Sequence, residues 1–225
     1  GPNFAAISNV DPDTDQIFAP DDHRMVRSYS NELWHTDSSF KAVSAWASLL
    51  HAKEVPPTGG ATSFVSTRRA FEDLDPERQA LCEGLLTEHD FVYSRSLLNG
   101  PEFLNDAQKN EVPPVPQRLV VTNPRNGRKA LYLGSHCARV IGWSDAESRE
   151  LLDALTDHAT QPRCVYSHQW RAGDLVMWDD RATLHRGNEY DYRNHRRVML
   201  RTTVSGVTQT VTAEEVARYR AGLGN

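Results

Sequence analysis

Apolar positions along this chain cluster in short runs interrupted by turn residues, a pattern that predicts strands more often than long helices. Lys41-Ala-Val-Ser-Ala-Trp-Ala-Ser-Leu-Leu50 and Ala61-Thr-Ser-Phe-Val65 read as extended segments on either side of the sharp turn Val55-Pro-Pro-Thr-Gly-Gly60. Leu119-Val-Val-Thr122 and Ala130-Leu-Tyr-Leu133 flank Asn123-Pro-Arg-Asn-Gly127 and predict a hairpin-like pair. Leu175-Val-Met-Trp178, bounded by a turn signal at Gly173 and by Asp179-Asp180, predicts a buried strand. From Arg197 to Val204 the period is two: Arg197, Met199, Arg201 and Thr203 share one face, and Val198, Leu200, Thr202 and Val204 the other. The aliphatic set is expected against a packed layer, leaving the two arginines to face whatever lies opposite.

Helix signals are fewer. Ser66 can cap a short helix through Leu74, and Asp75-Pro76 places an N-cap before a proline at the first helical position, opening a helix to about Leu86. Ser144-Asp-Ala-Glu147 is a capping box with Leu151, Leu152 and Leu155 on the inner stripe. Thr212-Ala-Glu-Glu215 repeats the device for a helix to about Ala221, closed by Gly222. Residues 1 to 30 are polar and rich in Asp and Pro, which predicts turn and loop. From about 94 to 117 the chain shows little periodicity, and a loop that long predicts a lid. Short strands with inserted helices give a mainly β fold, a sandwich or jelly roll with helical decoration.

Composition narrows the classes. At 225 residues the chain is most simply one domain, residues 1–225. A net charge of −5 and a pI near 6.0 give no general attraction to nucleic acid or anionic membranes. No apolar run approaches the roughly 18 residues of a membrane span. Cys82, Cys137 and Cys164 are odd in number and widely spaced, so neither a disulfide framework nor a thiolate metal site is suggested, and a cytoplasmic setting fits. Oligomeric state is left open, a homo-oligomer included.

One constellation carries chemistry. His35 and Asp37 sit two apart in extended sequence, where side chains of that spacing project to one face and can converge on an ion. Alone the pair means little: with 9 His and 30 Asp and Glu, chance supplies about one such spacing. Its setting adds weight. His185 lies just beyond the Leu175–Trp178 strand, where functional side chains are commonly displayed, and two inward arginines follow downstream. Two imidazoles and one carboxylate can bind one face of Fe(II) and leave the other open, while an arginine can hold the tail of a dicarboxylate co-substrate. A zinc hydrolase could use the same three ligands with a bound water but has no need of paired arginines. A non-catalytic jelly-roll binding module would leave the metal set a coincidence.

The ordered set Trp34-His-Thr-Asp-Ser-Ser-Phe40, Pro57-Thr-Gly-Gly-Ala-Thr-Ser-Phe64, Val92-Tyr-Ser-Arg95, Leu131-Tyr-Leu-Gly-Ser-His136, Asp174-Leu-Val-Met-Trp-Asp179, His185-Arg186 and Arg197-Val-Met-Leu-Arg201 resembles the taurine dioxygenase family of Fe(II)/2-oxoglutarate-dependent oxygenases. Within it the likeness is greatest to the 2,4-dichlorophenoxyacetate and related aryloxyalkanoate dioxygenases. The resemblance runs from about residue 5 to 206. It implies a double-stranded β-helix core, with the N-terminal part of the usual family core absent from this chain. It also implies iron held by His35, Asp37 and His185, and 2-oxoglutarate gripped by Thr62 and Arg197 with Trp178 beside it. The primary substrate's anionic group is expected at Arg201 and His136. Arg196 and Arg197 compete for the co-substrate role, and strand parity with Met199 and Arg201 favours Arg197. The implied reaction consumes O2 and 2-oxoglutarate and hydroxylates a small anionic substrate: an aryloxyalkanoate, or alternatively an alkylsulfonate or natural carboxylate. His51, His89, His158 and His168 are expected to be structural, and Trp34, Trp46, Trp143 and Trp170 to pack.

Overall fold

The computed structural model describes residues 4–19, 22, 24–25, 30–100 and 111–223. In chain order the strands and helices are β1 (Ala5–Ser8), β2 (Ala45–Glu54), β3 (Thr62–Ser66), α1 (Thr67–Glu72), α2 (Pro76–Glu83), β4 (Leu86–His89) and α3 (Phe91–Asn99). There follow β5 (Val115–Arg118), β6 (Val120–Thr122), β7 (Lys129–Leu131), β8 (Cys137–Val140), α4 (Asp145–Ala159), β9 (Tyr166–His168), β10 (Leu175–Asp179), β11 (Thr183–Gly187), β12 (Val198–Ser205) and α5 (Ala213–Leu223). The framework is mainly β. A four-stranded antiparallel sheet has the order β1-β12-β2-β10, and three-stranded sheets the orders β11-β3-β9 and β5-β4-β8. The predicted hairpin pair is β6-β7.

β3 is the hinge of the packing. Thr62, Ser63, Phe64 and Val65 are all buried, because the strand lies between two cores and its alternating side chains feed both. Val65 joins Phe71, Leu119, Leu131, Leu133, Val140, Leu152, Leu155 and Leu184 under the helices. Phe64 joins Leu50, Ala52, Trp178 and Met199 against the four-stranded sheet. The helix caps are as their residues dictate: Ser66 accepts from the Arg69 N–H, Asp75 from the Arg78 N–H, and Ser144 and Glu147 cap each other reciprocally. Thr212 and Glu215 form the same box at α5, which runs through Leu223, past the expected stop at Gly222. Helix α2 stops at Glu83, short of Leu86, which begins β4 instead.

Several expectations are corrected. The stretch from 94 to 117 is not all loop: Phe91–Asn99 is helical, with Asp90 accepting from the Val92 N–H as its cap, and Val115–Arg118 is a strand. Residues 101–110 of that predicted lid lie outside the described residues. Residues 1–30 contain a strand, since Ala5–Ser8 pairs with Val198–Arg201. β10 is an edge strand whose outer face is open, so Leu175 and Met177 are 63% and 64% exposed while Trp178 is buried. On β12 the parity is as read, but the packed side is the one carrying Arg197 and Met199; Val204, on the aliphatic side, is exposed. The arginines line a site rather than solvent, so their face is the inner one.

Core and caps should separate in a urea titration. Leu155→Ala, at a site 1% exposed, should lower stability by about 2–5 kcal/mol, and Ser144→Ala by about 1 kcal/mol. A reversed ranking would mean that the helical layer is not packed as described.

Candidate metal centre and its two cavities

Two backbone hydrogen bonds build the centre. The His35 N–H donates to the His185 carbonyl at 3.0 Å and the His185 N–H to the His35 carbonyl at 2.9 Å, an isolated antiparallel bridge that sets the two imidazoles 4.2 Å apart between ring centroids. Asp37, two residues along, turns to the same face, and the ligand atoms of His35, Asp37 and His185 all lie within 4.8 Å of one another. All three are buried. Gly134 backs this bridge at φ +116°; a Cβ there would stand 3.0 Å from the Trp34 carbonyl oxygen and 3.1 Å from His35 Cα.

Hydrogen bonding prepares each ligand. His35 Nδ1 lies 2.7 Å from the Leu33 carbonyl, which can only accept, so the ring hydrogen is on Nδ1 and the Nε2 lone pair is free for an ion. His185 Nε2 is 3.7 Å from Asp37 Oδ2, its ring held by Trp178 and Phe64 at 4.7 and 6.2 Å. Asp37 Oδ1 accepts from Arg201 at 2.6 Å, and Oδ2 from the Ser48 hydroxyl at 2.7 Å. Ser48 Oγ is also 2.7 Å from Asp180 Oδ2. A hydroxyl has one hydrogen, so it cannot donate to both carboxyls. Burial, with the Asp37 charge beside it, pushes the Asp180 pKa up, and Asp180 supplies the second proton.

Burial drives His35 below the usual histidine range and His185 down to about 3, so both imidazoles are neutral at neutral pH, the form a metal needs. Burial would raise Asp37, but it is outweighed and the carboxylate is held low: His185 and His35 do so only when protonated, and at neutral pH the work falls to the Arg201 guanidinium and the Ser48 hydroxyl. With the imidazoles neutral, Arg201 is the lasting positive charge.

Two cavities meet at this centre. The smaller, about 50 Å³, is lined by Thr62, Trp178, His185 and Arg197. Arg197 is 9% exposed; its Nε donates to the Gly60 carbonyl at 3.1 Å, and no carboxylate lies within ion-pair distance among the described residues. Gly60, at φ +65°, allows that approach, since a Cβ would stand 3.3 Å from Arg197 Cδ. Arg196 instead points outward to Glu54 and Asp15, at 2.6 and 2.7 Å. The larger cavity, about 550 Å³, is lined by Ile7, Phe40, Phe91, Arg95, His136 and Arg201. His136 Nδ1 is 2.8 Å from Ser94 Oγ, its ring edge-on to Phe40 at 4.8 Å. Thus every predicted site residue lies at one of the two cavities or at the three-ligand cluster between them.

Sequence reasoning missed four supports. Asn9, 1% exposed, accepts from the Arg197 N–H and donates to the Tyr192 and His195 carbonyls, clamping the approach to β12. Ser48 and Asp180 hold Asp37, and Phe91 walls the larger cavity. The adjacent acids Asp179-Asp180 after an apolar run were the one readable signal; Asn9 and Ser48 gave none.

The metal-free protein should lose stability on acidification. His35, His89, His136 and His185 are all held low by burial, so each binds a proton on unfolding below about pH 6.5 while the fold stays neutral. Each contributes up to about 1.4 kcal/mol per pH unit in that window, and Asp180, protonated in the fold, cancels about one of the four. Thermal melts in chelator should show a lower Tm at pH 5.5 than at pH 7; the opposite order would contradict neutral buried imidazoles.

Residues 2–203 match the family model for taurine catabolism dioxygenase TauD, TfdA family. The chain is 42% identical over 201 residues to the alpha-ketoglutarate-dependent 2,4-dichlorophenoxyacetate dioxygenase of Burkholderia sp. (strain RASC), covering 89% of this chain and 67% of that protein. It is 36% identical over 216 residues to the (S)-phenoxypropionate/alpha-ketoglutarate-dioxygenase of Sphingobium herbicidovorans, covering 93% and 75% respectively. The crystal structure of AAD-2 in complex with Mn(II) and N-oxalylglycine superposes with a TM-score of 0.88 at 44% identity, over 92% of this chain and 76% of that one.

Proposed function

The chain belongs to the TauD/TfdA dioxygenase family, and on that footing we propose that it is an Fe(II)- and 2-oxoglutarate-dependent dioxygenase that cleaves an aryloxyalkanoate. The products are a phenol and glyoxylate or pyruvate, with succinate and CO2 from the co-substrate. The donor set fits the ion: two neutral imidazoles, one with its tautomer fixed, and a carboxylate held low. Bound by His35, Asp37 and His185, Fe(II) with O2 supplies the oxidising chemistry.

The residues do the positioning. Arg197 and Thr62 hold the distal carboxylate of 2-oxoglutarate in the smaller cavity, and Trp178 closes its side. The observation that carries the reading is Arg197: a buried guanidinium with no acid partner among the described residues calls for an anion, and the cavity it lines reaches His185. A zinc hydrolase gives it no task. In the larger cavity Phe40 and Phe91 suit an aryl ring, while Arg201 and His136 receive the substrate carboxylate and so fix which C–H bond faces the ion. Hydroxylation beside the ether oxygen leaves a hemiacetal that collapses to the phenol. An alkylsulfonate would meet the same guanidinium and imidazole but leave the aromatic walls unused. The four-stranded sheet and the β11-β3-β9 sheet are the two layers of a double-stranded β-helix within a single domain, 1–225.

Succinate release screened with phenoxyacetates, 2-aryloxypropionates and alkylsulfonates tests the assignment. Turnover should be greatest with an aryloxyalkanoate, and turnover confined to sulfonates would reject that substrate class. His185→Ala should abolish iron binding and turnover together. Arg197→Met should raise KM for 2-oxoglutarate by at least about tenfold, the loss of a hydrogen-bonded charge, whereas Arg196→Gln should leave it unchanged. Zinc content without 2-oxoglutarate turnover would instead favour the hydrolase.

A further inference from the structure

Thr62 lines the co-substrate cavity, and among the described residues its hydroxyl has one close partner, Trp170 Nε1, at 2.9 Å. An indole N–H can only donate, so Thr62 Oγ1 is the acceptor of this bond and its single hydrogen is left to point elsewhere. The indole is not placed by chance packing alone. Trp170 stands on the connection from β9 to β10, and Thr62 is paired with His168 across the β3-β9 ladder. Asp174 Oδ2 ties that connection by accepting from the Arg171 N–H at 2.9 Å and lying 3.0 Å from His168 Nε2. The His168 ring meets Trp170 edge-on at 4.5 Å.

We propose that Trp170 is a positioning residue for 2-oxoglutarate: by donating to Thr62 Oγ1 it dedicates the threonine's one hydrogen to the distal carboxylate beside Arg197. This rests on the reading that Thr62 and Arg197 grip that carboxylate. Without the indole N–H, the Thr62 hydroxyl is free to turn its hydrogen to a backbone carbonyl, as threonine hydroxyls readily do, and it then presents lone pairs to an anion. Trp170 therefore acts on co-substrate selection without touching the co-substrate.

A double-mutant cycle tests it, read by equilibrium binding of 2-oxoglutarate to the Mn(II)-loaded protein and by KM and kcat of the iron enzyme. Trp170→Phe removes the N–H and keeps an aromatic ring. It should weaken 2-oxoglutarate binding and raise its KM about five- to tenfold, with kcat at saturation unchanged. Thr62→Val should weaken binding at least as much, and the double variant no more than Thr62→Val alone. In a Thr62→Ser background, which keeps the hydroxyl, Trp170→Phe should again weaken binding. Affinity for 2-oxopentanoate, a keto acid lacking the distal carboxylate, should be untouched by Trp170→Phe. Additive losses, or an equal loss for 2-oxopentanoate, would show that Trp170 merely packs and would overturn the proposal. If Thr62→Val itself leaves 2-oxoglutarate binding unchanged, it is the underlying grip assignment that fails.

Discussion

The centre depends on a reciprocal pair of backbone hydrogen bonds between His35 and His185, residues separated by most of the fold. Side chains alone could not hold three ligand groups within 4.8 Å, because each imidazole would need its own restraint against rotation and drift. The bridge fixes both Cα positions at once, and the Leu33 carbonyl, Trp178 and Phe64 then fix the rings. What remains adjustable is the carboxylate, and Ser48 and Arg201 take one oxygen each. The site is thus organised from the main chain outward.

Charge is managed by the same enclosure. Burial strips the imidazoles of their protons and leaves the Asp37 carboxylate and the Arg197 and Arg201 guanidiniums to carry charge beside them. Asp37 and Arg201 answer each other directly. Arg197 donates to the Gly60 carbonyl and stands over the Tyr190 ring, with no carboxylate beside it among the described residues. Of the two arginines on this strand face, Arg197 lines the smaller cavity only, while Arg201, four positions on, lines both.

Much of this was legible in the chain. The two-residue step from His35 to Asp37, the parity of Arg197, Met199 and Arg201, and the caps at Ser66, Asp75, Ser144 and Thr212 are local rules, and local rules are what a sequence states. Of the supports, only the paired acids at Asp180 left a signal; Asn9 and Ser48 take their meaning from partners elsewhere in the chain. Helix α3 was hidden by the prolines and glycine that follow it, and β1 by being only 4 residues long. The inner face of β12 was misjudged since an arginine reads as polar until an enclosed anion site gives it a reason to be inside.

Gly134 carries a consequence for anyone reshaping this pocket by random or designed mutation. Behind it stand main-chain atoms of Trp34 and His35, which cannot swing aside as a flexible side chain can. Any larger residue at that position must push directly on the backbone segment that presents the first ligand. Library diversity is therefore better placed at Phe40 and Phe91, with position 134 left fixed as part of the scaffold.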